Sequence, residues 1–452
     1  MKSVHQIAEA AKHASRVLAP LGEERRNSTL EAYALALEVA QEALLKANAE
    51  DLALAVEMLE DGVLSPATLD RLKLTQAKLI EMIAQVRAVA ALPDPLGRTL
   101  HAIELDDRDP KTTAAFEPAI GLHMRKISVP LGVLAVIFEA RPDAVTQIAA
   151  LALKSGNAVI LKPGREVERT AEALVHALRQ ALVQQKLPED AVSLVLGRER
   201  VKELLGESSL VDLVIPRGSK ALVDYVQANT RIPVLGHSEG VCHIYVDRNF
   251  NEAIALRVIE DAKCDYPAAC NAVETVLVHR DVAREFLPKL AARMHQRSVL
   301  LHGCPATREV LLESGRHEEL AAIQDWHREY GELALSIGVV DSLDAAITHM
   351  HAHGSSHTES IITDDAEAAE RFLREVDAAS VMHNASTRFA DGFRYGFGAE
   401  VGISTSKFHA RGPVGLDGLT TYKYVVRGNG HIAGDYRGAE GRAFTHRRET
   451  AS

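Results

Sequence analysis

The spacing of apolar positions changes twice along this chain. Through about residue 92 it follows a three-to-four repeat, as in "VHQIAEAAKHASRVL", which predicts amphipathic helices and little strand. "LPDPLG" breaks that pattern, and "PAIGLHMRKISVPLG" after it alternates in places, as an extended strand leaving the compact body would. From Val133 the short β-branched runs "VLAVIFEA", "NAVILKP", "VSLVLG" and "LVDLVIP" alternate with helical stretches. That alternation predicts parallel strands joined by right-handed crossovers, a Rossmann-like sheet. A second alternation, "CHIYVD", "TVLVH", "SVLLHG", "LALSIGVV", "ESIIT" and "ASVMH", predicts a second α/β domain. Near the end, "TTYKYVVRGNG" reads as a strand that pairs with the one around Lys126 in a projecting ribbon. The polar stretch 441–452 reads as a mobile tail.

Composition narrows the function classes. The 452 residues, 47% apolar and 25% charged, suit a soluble globular chain of two or three domains. A net charge of -11 argues against a nucleic-acid binder. The run "VPLGVLAVIFEA" is about half the ~20 residues a membrane span needs. Cys242, Cys264, Cys270 and Cys304 form no C-x-x-C pair, so neither a zinc module nor a disulfide framework is predicted, and a reducing cytoplasm is the expected compartment. In "ITHMHAHGSSH", His349 and His353 are four apart with His357 beyond, but no acidic or cysteine companion and no H-E-x-x-H stands beside them, so no metal site is predicted.

Three stretches carry candidate chemistry. In "LVIPRGSKALVDYV" a strand ends, Arg217-Gly218-Ser219 turns and a helix begins, a place where backbone N–H groups attract anions. In "ILKPGRE" Lys162 closes a strand at the carboxyl edge of the sheet with Arg165 three residues on, and two such cations suit a ribose and an extra phosphate. The usual dinucleotide fingerprint is absent; "GNGHIA" at Gly428 matches it as text, but no helix pattern follows. In "DYPAACNAVETVLVH" Cys270 lies in a short connection between a helix and a strand. A nucleophile and a small buried apolar side chain both remain open for it.

"VPLGVLAVIFEARPDAVTQIAALALKSGNAVILKPG", "GHSEGVCHIYVD", "PAACNAVETVLVH" and "NASTRFADGFRYGFGAEVGIST" together resemble the gamma-glutamyl phosphate reductase family, the glutamate-5-semialdehyde dehydrogenases of the aldehyde dehydrogenase superfamily. "VDSLDAAITHMHAHGSSHTESI" resembles the family signature, with Met350 in place of the usual Ile. The likeness runs to about Asn429, and no amino-acid kinase segment precedes it, so the single-function enzyme is the one resembled.

The resemblance implies an aldehyde dehydrogenase-like α/β fold: an NADPH-binding domain (1–117 and 131–241), a catalytic domain (242–415) and an oligomerisation ribbon (118–130 and 416–440). It implies that Cys270 is the catalytic thiol, and that Lys162, Arg165, Arg217, Gly218 and Ser219 hold NADP(H), with Arg165 near the 2′-phosphate. The anionic groups of the substrate need cations; Arg141 and Arg388 are expected there, with His237 and Asn384 as polar contacts. "FEARP" replaces the Trp-Asn pair of ordinary aldehyde dehydrogenases, and "GHSEG" puts His237 where their water-activating Glu would fall. The implied activity is NADPH-dependent reduction of gamma-glutamyl phosphate through a cysteine thioester in proline biosynthesis. A CoA-acylating aldehyde dehydrogenase and a catalytically idle binding protein are the rival readings. A homo-oligomer is expected and docking with a glutamate kinase is conceivable, although no motif marks it.

Overall fold

The run that opens the βα alternation, "VLAVIF", is buried at every position, as a parallel strand covered on both faces requires. A computed structural model describes residues 2–107, 121–236, 239–315 and 320–448 of the chain. Two compact units emerge: Met1–Ile215 with Asn229–Pro233 and Leu416–Ser452, and Pro216–Ala228 with Val234–Gly415.

The first unit opens with the helices Val4–Leu18, Glu23–Val39, Gln41–Glu60, Pro66–Leu72 and Gln76–Ala91. Ser3 and Gln6 form a capping box at the first. Strands β1 (Thr99–Asp106) and β2 (Leu122–Pro130) follow as an antiparallel pair. Next come β3 (Val133–Phe138), β4 (Ala158–Pro163), β5 (Val192–Leu194) and β6 (Leu213–Arg217), in the sheet order β5-β4-β3-β6. Helix Asp143–Lys154 joins β3 to β4, and its buried last residue ties it to the N-terminal helices. Lys154 Nζ donates to Glu23, Asn27 and the Ala90 carbonyl at 3.1, 2.7 and 3.0 Å.

In the second unit, β7 (Cys242–Val246), β8 (Val273–His279), β9 (Leu300–Gly303), β10 (Ala321–Ala322), β11 (Ala334–Val340), β12 (Thr358–Ile362) and β13 (Ser380–His383) make a parallel sheet. Its order is β10-β9-β11-β8-β7-β12-β13, and its core holds Ile244, Val276, Phe286, Leu290 and Ile337. A small hairpin, β14 (Ile403–Ser404) with β15 (Gly412–Pro413), closes the unit.

The chain then returns to the first unit as β16 (Thr420–Arg427) and β17 (Arg447–Arg448), completing an antiparallel sheet in the order β16-β2-β1-β17. β16 pairs with β2, the strand around Lys126, as the sequence suggests; Tyr424 stands opposite Lys126, and Lys126 Nζ sits 3.5 Å over the Tyr422 ring. The boundaries differ from the expectation in three places. β1, assigned above to the cofactor domain, belongs to the ribbon; register shifts at Thr99/His101 and Glu104/Asp106 break the alternation that would have announced it. Arg447 and Arg448 pair with Glu104 and Ile103, so the tail up to 448 is a sheet edge rather than a mobile end. Residues 216–228 and 234–241 group with the thiol-bearing unit rather than with the first. Among the described residues no helix is long and apolar enough to cross a membrane.

Candidate active site

Helix Glu252–Cys264 starts at Asn251, whose side chain accepts from the Ile254 N–H at 3.1 Å, and it delivers the chain to the turn that precedes β8. That turn is held by Ala269 N–H to Tyr266 O, 3.1 Å, and Ala272 N–H to Ala269 O, 2.9 Å. Cys270 is half-buried on it, and its own N–H has no backbone acceptor among the described residues. Behind the turn lies Gly240. A Cβ there would stand 2.2 Å from the Cys270 carbonyl oxygen and 2.7 Å from its Cα, so only glycine admits this approach. Cys242 Sγ donates to the same carbonyl at 3.3 Å. The one hint of Gly240 in the sequence was a glycine placed just ahead of a strand.

Arg388 was expected to meet substrate. It is buried, and its Nε pairs with Asp265 at 3.1 Å while Nη1 donates to Asn271 Oδ1. Asn271 in turn donates to the Ala390 carbonyl at 2.9 Å, and Arg394 bonds both Asp265, 3.0 Å, and the Arg388 carbonyl, 2.6 Å. Arg388 therefore clamps the chain on both sides of Cys270. Asn384 spends its amide on Thr363, accepting from the N–H and donating to the carbonyl, both at 3.0 Å, and so ties the end of β12 to that of β13. Arg141 is exposed in the first unit, next to Ala140, whose N–H is held by Glu166 at 2.7 Å. His237 lies outside the described residues.

Burial pushes the Cys270 thiol up to about 11. Arg217 pulls it back, Glu400 and Glu329 push it further, and Arg388 pulls it down. Glu400 is itself raised to about 7 by burial, against Arg217 and the Gly392 N–H, 2.9 Å from Oε2. Glu329 accepts from the Gly240 N–H at 3.1 Å. Arg217 lies against Gly402: a Cβ on that glycine would stand 2.5 Å from Nη1. Thus the charge of Arg217, expected at the cofactor, also favours the Cys270 thiolate. Glu329 and Glu400 escaped the sequence reading, since only the fold brings them to the thiol.

The histidines of the signature stretch pack inward. His349 lies 4.5 Å from the Trp326 ring and 5.5 Å from His243, and burial drives its pKa down to about 3. His243 bonds Glu359 at 3.0 Å, and His357 bonds Thr358 at 2.8 Å. Among the described residues no group of three or more His, Cys, Asp or Glu is arranged to hold a metal.

In the first unit Lys162 is the next-to-last residue of β4, buried, and donates to the Pro163 carbonyl at 2.5 Å. An ammonium has three protons, so two stay available for hydroxyl groups. Burial lowers the Lys162 pKa, opposed by Glu168, Glu166, Glu199 and Glu139. Arg165 is exposed, with no ion pair among the described residues. Gly218 is exposed, and Ser219 Oγ accepts from Leu222 N–H at 3.4 Å as helix Lys220–Ala228 begins. A buried ammonium beside an exposed guanidinium at a strand's carboxyl end is a donor set that fits ribose hydroxyls and a 2′-phosphate.

Residues 1–307 match the model of the aldehyde dehydrogenase family. The chain is 51% identical to a gamma-glutamyl phosphate reductase of Natronomonas pharaonis, over 97% of this chain and 96% of that one. The crystal structure of gamma-glutamyl phosphate reductase from Thermotoga maritima superposes with a TM-score of 0.88 at 36% identity, covering 95% of this chain and all of the other. An acetylating aldehyde dehydrogenase from Geobacillus thermoglucosidasius shares the fold, with a TM-score of 0.63 at 16% identity, over 95% and 97% of the two chains.

Proposed function

The chain belongs to the aldehyde dehydrogenase family and, within it, to the gamma-glutamyl phosphate reductases, and from that premise we propose that Cys270 carries the acyl group and that NADPH is the reductant. The reaction is reduction of gamma-glutamyl phosphate to glutamate 5-semialdehyde and phosphate, the second step of proline biosynthesis. The observation that carries the assignment of Cys270 is its place on a turn pinned by Arg388, Asp265 and Asn271, within the field of Arg217.

The Cys270 thiolate attacks the γ-acyl carbon, the C–O bond to phosphate breaks, and a thioester remains. The Cys270 N–H is a donor for the oxyanion formed on the way, and a well-placed donor of this kind is worth roughly 3–4 kcal/mol. Bound NADPH supplies the hydride. Collapse of the thiohemiacetal then expels the thiolate and frees the aldehyde. Lys162 and Arg165 are the residues we assign to the ribose and its 2′-phosphate, and Gly218 and Ser219, at the turn after β6, are assigned to the same coenzyme. The free thiols suit a reducing cytoplasm. The ribbon is assigned to homo-oligomerisation, and hand-over of the labile acyl phosphate from a docked glutamate kinase belongs to the same reading.

The test is NADP⁺ reduction with glutamate 5-semialdehyde in the presence of phosphate, of CoA, or of neither. Strong dependence on phosphate is the expected result, because the residue in place of a water-activating Glu is His237, and absence of a positioned base typically slows such a step 10²–10⁴-fold. Cys270→Ser should abolish turnover and keep NADPH binding. A phosphate-independent rate with accumulating glutamate would overturn the reading, and a rate that needs CoA would favour the acylating class.

A further inference from the structure

We propose that Trp326, His327, His349 and His353, stacked on His243, form an acid-sensitive latch: closed at neutral pH, it holds segment 326–330 against the sheet of the second unit, and on acidification it opens and slackens the thiol turn. The effect on turnover rests on the function given above; the latch itself does not. All the residues involved belong to the second compact unit. Trp326 lies 4.5 Å from His349 and 6.2 Å from His353. His349 lies 4.6 Å from His353 and 5.5 Å from His243, and His353 lies 4.9 Å from His327. His243 is on β7, His349 and His353 are on helix Leu343–His353, and Trp326 and His327 are on the connection from β10 to β11. Trp326 also packs on Gly338 of β11, with Cη2 3.0 Å from the point a Cβ would occupy. Three residues on, Glu329 accepts from the Gly240 N–H at 3.1 Å, and Gly240 is the residue whose backbone lies on that of Cys270. What moves the stack therefore reaches the thiol turn.

Protons are the trigger because the stack has no place for them. His243 and His349 each bury an Nε2 that has no hydrogen-bond partner among the described residues. A proton on either would be a buried donor without an acceptor. His353 Nδ1 and His327 Nε2 share one hydrogen bond of 3.3 Å, which survives one proton and not two, since two imidazolium rings would meet donor to donor. The surrounding charges answer this only in part. Glu359 on β12 meets His243 at 3.0 Å, and Asp325 favours a charge on His353. His243, His353 and His327 all oppose a charge on His349. On the same helix His351 accepts from the Asp377 N–H, and Arg328 stacks over the Tyr330 ring at 4.9 Å. Burial and these neighbours lower His349 from 6.5 to about 3, and burial lowers His353 as well. The closed latch thus binds protons less readily than the open one. Its advantage is complete above pH 6.5 and is lost as pH falls from there toward 3.

Trp326 is the single tryptophan of the chain, so its fluorescence reports the latch alone. The experiment follows its emission maximum in the coenzyme-free enzyme from pH 8 to pH 4, beside far-UV circular dichroism, in the parent, His349→Phe and His353→Gln. The parent should show a reversible red shift below pH 6.5 while its circular dichroism holds. His349→Phe stays aromatic and takes no proton, so its midpoint should lie about one pH unit lower, and that of His353→Gln should fall too. In phosphate-dependent NADP⁺ reduction the kcat of parent and His349→Phe should match at pH 8, and at pH 5.5 the parent should fall roughly tenfold below the variant with KM for NADP⁺ unchanged. A red shift that coincides with loss of circular dichroism is general unfolding and overturns the proposal. So does a fall in intensity without a red shift, which is protonation in place, and so does the parent's midpoint in both variants. If His349→Phe fails to fold, His353→Gln decides by the same criteria. A displaced red shift with equal kcat at pH 5.5 overturns the link to the thiol turn. A red shift in a parent with no phosphate-dependent turnover at any pH would strike the function reading and leave the latch standing.

Discussion

Gly240 packs its backbone directly onto that of Cys270, leaving 2.2 Å between the carbonyl oxygen and the place of a Cβ. Gly240→Ala must therefore move either the segment before β7 or the thiol turn. Displacements near 1 Å at a reacting group cost about 10²-fold in rate. We expect kcat to fall by roughly that factor with NADPH affinity unchanged; a variant with the parent kcat would show that the turn yields without consequence.

Lys263 and Glu274 form a fully buried ion pair, 2.8 Å apart, that joins the helix ahead of the thiol turn to β8 behind it. Lys263→Met strands a carboxylate in the interior and should destabilise by about 3–5 kcal/mol in urea unfolding. The double variant Lys263→Met/Glu274→Leu should recover much of that loss. If the double variant is no more stable than the single one, the pair contributes through packing and not charge.

Glu400 predicts a pH signature in stability. Burial raises its folded-state pKa from 4.5 to about 7, so the folded chain binds the proton more tightly than the unfolded one. Its contribution is complete below pH 4.5 and is lost as pH climbs through 7, a difference of roughly 3 kcal/mol at most. Glu400→Gln cannot titrate, so its unfolding free energy should decline less than the parent's between pH 4.5 and 7.5. Parallel curves for the two proteins would rule this out.

The proposed assignment of Arg165 to the 2′-phosphate makes it the residue that sets coenzyme preference. Arg165→Glu places a carboxylate at the 2′-phosphate and should weaken NADPH by about 10- to 100-fold while NADH changes little. Titration of both coenzymes checks it, and equal losses for the two would dissociate Arg165 from the phosphate.

The outer strand β16 exposes Tyr422, Tyr424 and Val426, an apolar row on an unpaired edge. If the ribbon joins subunits as proposed, Tyr424→Glu/Val426→Glu should give a soluble monomer in light scattering and the parent a larger mass. An unchanged mass would place the subunit interface elsewhere.

What was readable in the sequence was whatever depends on neighbours in the chain. The strands "VLAVIF" and "ETVLVH" announced themselves by unbroken apolar runs, and the turn bearing Cys270 by its place between two periodic segments. The pairing of β16 with the strand around Lys126 was readable too, because both stretches are extended and rich in strand-forming residues. β1 was not, since two register shifts scramble its period. Nor were the roles of Arg388, Arg217, Glu400 and Gly240. Each acts on Cys270 or its turn from a distant stretch of chain, and a residue's type says little about which distant group it will face. A charge read as open to ligand, such as Arg388, proved to be answered by Asp265.

The ribbon also sets a timetable for synthesis. About 290 residues separate the end of β2 at Pro130 from the start of β16 at Thr420, and β17 comes later still. At ribosomal rates of 5–20 residues per second, β2 waits roughly 15–60 s for the strand that covers it. During that interval the nascent chain displays an open β-edge, a template for stray pairing with other chains. The four-stranded sheet therefore cannot be complete until the last strand has been made. A chain cut short after the thiol turn carries Cys270 together with an uncovered, sticky edge.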